Sequence, residues 1–205
     1  MKVMKAIGGA LALLGVAARA VWPAAADTIP GTRPAPRAAA AGPSWTGCGV
    51  GVHVGRANAD ADFGAPINIG ANGTMGGVSV LCDGNWDRFV LGLFAEYDRV
   101  WGDLHTLGVN SDITLGGRAG VLITQAALAY AHVAWSRVDA GSGLSNIDGI
   151  KIGAGIEVKI PDTPFSLDLR YTHAMYENVA NSGIDVSADE ARLGLNYRFT
   201  GLFAR

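Results

Sequence analysis

Residues 147–160 read IDGIKIGAGIEVKI, and the period of two in that run constrains the fold more than any other feature of the chain. Ile150, Ile152, Ala154, Ile156, Val158 and Ile160 alternate with Gly149, Lys151, Gly153, Gly155, Glu157 and Lys159. A helix would scatter these isoleucines around its axis, whereas a strand collects them on one face. The run WTGCGVGVHVG at 45–55 repeats the pattern, with Thr46, Cys48, Val50, Val52 and Val54 opposing glycines and His53. Residues 76–82, 89–97, 113–121, 127–135, 165–171 and 191–199 follow the same rule, so the chain is predicted to be all-β, with about eight strands.

The connections alternate in length. Asp83-Gly84-Asn85, Thr124-Gln125 and the stretch 161–164 read as short turns, while 56–74, 98–112, 138–146 and 172–187 read as longer polar loops rich in Gly, Asn and Asp. Short turns at one end and long loops at the other predict an eight-stranded antiparallel up-and-down transmembrane β-barrel. One stretch competes with this reading. Residues 119–136 carry no charge and are long enough for a membrane helix. Thr124, Gln125 and His132 suit such a helix poorly, and the stretch divides into two alternating halves around Thr124-Gln125.

The less apolar face combines glycine with isolated charges: Glu96, Asp98, Arg118, Lys151, Glu157, Lys159, Asp168, Arg170, Glu190, Arg192 and Arg198. Glycine on a solvent face weakens a strand, but inside a narrow barrel it leaves room for larger neighbours. The apolar face is therefore expected to meet lipid, and Glu96, Asp98, Arg118, Lys151, Glu157, Asp168, Arg170 and Arg192 to form a charge network plugging the lumen. Glu96 and Arg118, on neighbouring strands, are expected to pair. The alternative is a secreted soluble barrel with the faces reversed, binding a small ligand. Trp45, Trp86, Phe89 and Phe165 beside the short turns, with Tyr97 and Tyr171 near the other end, read as two aromatic girdles. Pairing Cys48 with Cys82 sets Val50 opposite Val80 and Val52 opposite Val78, a consistent antiparallel register that predicts a disulfide in an oxidising compartment.

That compartment follows from the first residues. Lys2 and Lys5 precede an apolar run, and Ala24-Ala25-Ala26 supplies small residues for cleavage, so 1–26 reads as a secretory signal. Residues 27–43 hold four prolines without periodicity and read as an extended periplasmic leader; 44–200 form the barrel and 201–205 a short tail. The formal net charge of −2 provides no basic field for a nucleic acid.

WTGCGVGVHVG, GGVSVLCDGNW, FVLGLFAEYD, GGRAG, IKIGAGIEVKI and the ending RLGLNYRF together resemble the small outer-membrane β-barrel domain family common in alphaproteobacteria, which includes porin-like surface antigens. The resemblance spans 45–199. It implies a Gram-negative outer-membrane protein with a structural, envelope-integrity or porin-like role, whose partners are outer-membrane lipid and the barrel-assembly machinery, with a host or envelope partner reached through the long loops. Gly194, Tyr197 and Phe199 resemble the closing-strand assembly signal of such barrels. No cofactor, metal site or catalytic residue is expected. Gly-x-Ser-x-Gly, His-Glu-x-x-His and phosphate-binding loops are absent, and two cysteines are too few for a zinc site. The enzymatic alternative is a small outer-membrane lipid hydrolase using His173 with Asp185 or Ser187.

Overall fold

The computed structural model describes residues 45–62, 68–106, 109–140, 146–179 and 184–199; the expected signal (1–26), leader (27–43) and tail (201–205) lie outside them. Eight strands run in chain order: β1 (Gly47–Asp62), β2 (Asn68–Trp86), β3 (Phe89–Gly102), β4 (Val109–Leu122), β5 (Ala127–Ala140), β6 (Ile147–Lys159), β7 (Phe165–Val179) and β8 (Ile184–Arg198). Each pairs antiparallel with its neighbours, and β1 pairs with β8, closing the barrel. The stretch 119–136 is strand, turn, strand, and no helix among the described residues is long and apolar enough to cross a membrane.

The tight turns owe their shape to local hydrogen bonds. Between β2 and β3, Asp87 takes a left-handed φ of 53°, while the Asn85 amide donates to the Asp87 and Phe89 carbonyls. Between β4 and β5, the Thr124 hydroxyl accepts the amides of Ala126 and Ala127. Both cysteines face outward on β1 and β2 and are joined in a disulfide, with Val50 opposite Val80 and Val52 opposite Val78.

Outside, the barrel carries an apolar belt. Val52, Val80, Leu93, Leu115, Val133, Ile152, Leu169 and Leu193 all point outward and are exposed. The greasy face thus surrounds the barrel while the charged face fills it, which excludes the soluble ligand-binding alternative with its reversed faces. The belt ends on each strand at a first polar outward residue: Arg56, Thr74, Arg99, Ser111, Arg137, Asp148, His173 and Asp189. Register links these positions into a collar, with Arg56 opposite Thr74, Arg99 opposite Ser111, Arg137 opposite Asp148 and His173 opposite Asp189.

Two expectations need correction. Much of three of the four long polar stretches, 56–74, 98–112 and 172–187, continues as strand, β1 reaching Asp62 and β2 starting at Asn68, for example. Alternation survives there with its polarity reversed: Arg56 and Asn58 point outward, while Ala57, Ala71, Met75, Val100 and Leu104 form a buried cluster within. Above the belt the outer wall meets water, so the apolar residues move inside. Leu104 reaches this cluster from α1, the short helix Asp103–Thr106. Trp45 belongs to no lipid girdle. It shares the parity of Gly47 and Gly49, faces the lumen and is fully buried, whereas Trp86, Phe89 and Phe165 are exposed.

Candidate functional site

The lumen is filled by two ionic clusters stacked along the barrel axis. Nearer the short turns, Asp83 of β2, Arg118 of β4, Glu157 of β6 and Arg198 of β8 project inward from alternate strands, and signs alternate around the ring. Layers drawn from alternate strands are how tilted barrels fill their interiors. Arg118 grips Asp83 through two nitrogens at 2.9 and 2.6 Å and reaches Glu157 at 2.9 Å. Arg198 closes the ring, 2.8 Å from Asp83 and 2.9 Å from Glu157. The Ser166 hydroxyl and Asn196 amide also donate to Glu157. Every charge here has opposite-charge partners, the condition under which burial is tolerable. Below the ring, Trp45 donates its indole N–H to the Gln125 carbonyl at 3.1 Å, with the Arg198 and Lys159 cations 4.8 and 4.5 Å from its ring centre.

The second cluster lies toward the collar. Arg192 contacts Glu96 at 3.0 Å, Asp98 at 3.0 Å and Glu190 at 2.6 Å. Glu96 also binds Arg170, and Asp98 binds His53 at 2.6 Å. Lys151 joins Glu190 to Asp112, and Asp112 accepts the Ser136 hydroxyl at 2.6 Å. Tyr130 links the two clusters: it lies against Arg118 of the lower ring and donates at 2.6 Å to Asp168, which stands 3.9 Å from Arg170 of the upper cluster. Between them remains a cavity of about 20 Å³ bordered by His53, Phe94, Tyr130 and Arg170, room for one water. Two glycines make these contacts possible. A Cβ at Gly92 would collide with the Asp83 carboxylate, and one at Gly77 would sit 2.7 Å from Asp98 and 2.9 Å from His53.

All eight charges expected in the lumen are buried there, but Glu96 and Arg118 do not pair. Across β3 and β4, Glu96 stands opposite Thr114 while Arg118 stands opposite Gly92, so the arginine drops into the lower ring and the glutamate into the upper cluster. Asp83, Asp112 and His53 were not expected in the network. Asp83 falls in a stretch that reads as a turn and Asp112 at the end of one that reads as a loop, yet each continues the parity of its strand, Ser79 and Leu81 before Asp83, and Thr114 and Gly116 after Asp112. Carrying the alternation one step further locates both.

Gly194 faces the lumen, while Tyr197 packs edge-on against Phe165 and Phe199, with ring centres 5.4 Å apart in each pair. His173, considered for hydrolysis, lies on the outer wall and bonds Asp189 at 2.8 Å, an oxygen that also accepts the Tyr171 hydroxyl. The Asp185 side chain lies outside the described residues. No group of metal-ligating side chains is present among the described residues.

A family model described as outer membrane protein beta-barrel domain matches residues 34–199. Among solved structures, neisserial surface protein A is similar at 16% identity and a TM-score of 0.49, covering 75% of this chain and 99% of that one. Ail, the attachment invasion locus protein of Yersinia pestis, is similar at 15% identity and a TM-score of 0.45, with the same coverage. A de novo designed transmembrane β-barrel is similar at 10% identity and a TM-score of 0.40, covering 74% of this chain and 95% of that one. No curated protein matches the chain.

Proposed function

The chain belongs to the outer membrane protein β-barrel domain family, and from that premise we propose that it is a structural element of the envelope rather than a conduit or a catalyst. One observation carries the reading: the lumen holds two stacked ionic clusters joined through Tyr130, with apolar clusters toward both ends. Ala57, Met75, Val100 and Leu104, with Val138, Ala174 and Tyr176, lie beyond it on the collar side, and Trp45, Val90 and Leu128 on the turn side. A solute would have to break several buried ion pairs at once to cross, a cost of many kcal/mol. The long-loop end faces outward in barrels of this kind. The protein's contribution is then a closed, lipid-embedded wall with a surface-facing rim, delivered through a cleaved signal and inserted by the barrel-assembly machinery.

The experiment is a gene deletion. The deletion strain is expected to admit a hydrophobic dye that the parent excludes, and the restored gene to reverse the leak. Unchanged dye exclusion together with slow growth on a limiting small solute would identify a porin instead.

A further inference from the structure

A second site lies on the outer wall above the belt, away from the lumen. Arg56 and Asn58 of β1 stand directly opposite Thr74 and Asn72 of β2, all four pointing outward. They border a surface cavity of about 370 Å³, whose far side is formed by Gly102 and Asp103. Trp101 of β3 stands opposite Thr74 and lays its indole over Gly76, with a ring carbon 3.2 Å from where a Cβ would be. Its ring is half exposed. Arg99 stands one outward position below Trp101. Among the described residues, neither Arg56 nor Arg99 takes part in an ion pair, unlike Arg137 of the same collar, which is bound to Asp148 at 2.7 Å.

We propose that this cavity binds the phosphorylated sugar headgroup of an outer-leaflet glycolipid, an inference that rests on the outer-membrane placement argued above. Three features select that chemistry. Carboxamides, a hydroxyl and the Asp103 carboxylate supply mixed donors and acceptors, which suits a polyhydroxylated ligand better than a bare anion. Beside the cavity on its belt side, the exposed Trp101 indole over Gly76 offers an apolar face to a sugar ring while its edge stays wet. Arg56 in the cavity wall, and Arg99 below it toward the belt, supply guanidinium groups whose geometry matches phosphate oxygens. The height of the site selects the source: Arg56, Thr74 and Arg99 are the first polar outward residues above the belt, the level at which headgroups begin. The volume falls within the range of small-molecule sites.

The test uses the full mature chain extracted from outer membranes into detergent, with bisphosphorylated lipid A as probe and native mass spectrometry as readout. Arg56→Ala and Trp101→Ala are each expected to weaken lipid A binding about tenfold, in line with the loss of a charge-assisted or stacking contact. Arg137→Ala, on the opposite wall of the collar, is expected to leave binding unchanged, and phosphate-free lipid A is expected to bind more weakly. Heat-shifted gel mobility verifies that each variant is folded, and Arg56→Gln serves if the alanine form is not. Unchanged binding by the folded Arg56 and Trp101 variants overturns the site. Equal loss in Arg137→Ala overturns it too, since the collar would then act without a specific pocket. Binding of the deacylated sugar phosphate as tight as that of the lipid overturns the lipid assignment. A leak-free deletion strain with these affinities intact would remove the structural role and leave the site standing.

Discussion

Glu157 concentrates the physical problem of the lumen: a fully buried carboxylate held by two arginines, a hydroxyl and an amide. Removing it leaves Arg118 with Asp83 alone and strips Arg198 of one of its two acidic partners. Glu157→Ala is therefore expected to destabilise the folded barrel by about 3 to 5 kcal/mol, read from urea unfolding in lipid vesicles. Arg198→Ala should cost a similar amount, and the double variant should recover part of the sum, because the two residues are in contact. Glu96→Ala combined with Arg118→Ala should instead be additive to within about 0.5 kcal/mol, since the two share no ionic partner. Recovery in that second pair, or additivity in the first, would contradict the arrangement. The presence of these charges in the lumen was legible from strand parity alone. Their partners were not, because most pairs bridge strands that are not neighbours, such as Asp83 of β2 with Arg118 of β4, and a single sequence gives no register beyond adjacent runs such as the two that carry Cys48 and Cys82.

Strand number, the turns at 124–125 and 161–164 and the Cys48–Cys82 register were readable, because each depends on local alternation and turn chemistry, whereas the turn expected at 83–85 falls at Asp87 and Arg88, after β2 has run on to Trp86. Strand ends toward the collar were not. Polar sequence there suggests loop, whereas β1 carries Ala57 inward and Arg56 and Asn58 outward beyond the belt, and so keeps its period while inverting its polarity. That inversion makes a measurable claim about depth. Val52→Lys, within the belt, is expected to cost about 2 to 4 kcal/mol, whereas Asn58→Lys, above the collar, should cost less than about 1 kcal/mol. Equal costs would mean that the belt does not end where the polarity turns over. For β8, replacing Tyr197 and Phe199 with Ala is expected to lower the folded fraction in outer membranes, measured by the heat-shifted band. Tyr197 packs outward against Phe165 on β7 and against Phe199, on the strand that must also close on β1. An undiminished band would remove the assembly role from these two rings.

The barrel turns the usual arrangement of a water-soluble protein inside out through the belt and restores it above the collar, with ion pairs inside where lipid is outside and apolar clusters inside where water is outside. This layering gives the molecule three consecutive barriers along its axis: Trp45 and its neighbours, the two charge clusters around a space for one water, and the apolar residues beneath the rim. Nothing in that stack resembles the continuous aqueous lumen of a conducting barrel, whose larger circumference leaves the axis open. The measurement that bears most directly on this account is current across a planar lipid bilayer containing the folded, heat-shifted protein. A closed lumen predicts a baseline without steady conductance steps, at voltages where a general porin conducts. Large, long-lived steps from the unmodified protein would mean that water and ions pass through the lumen, and would contradict the ionic plug on which the proposed function depends.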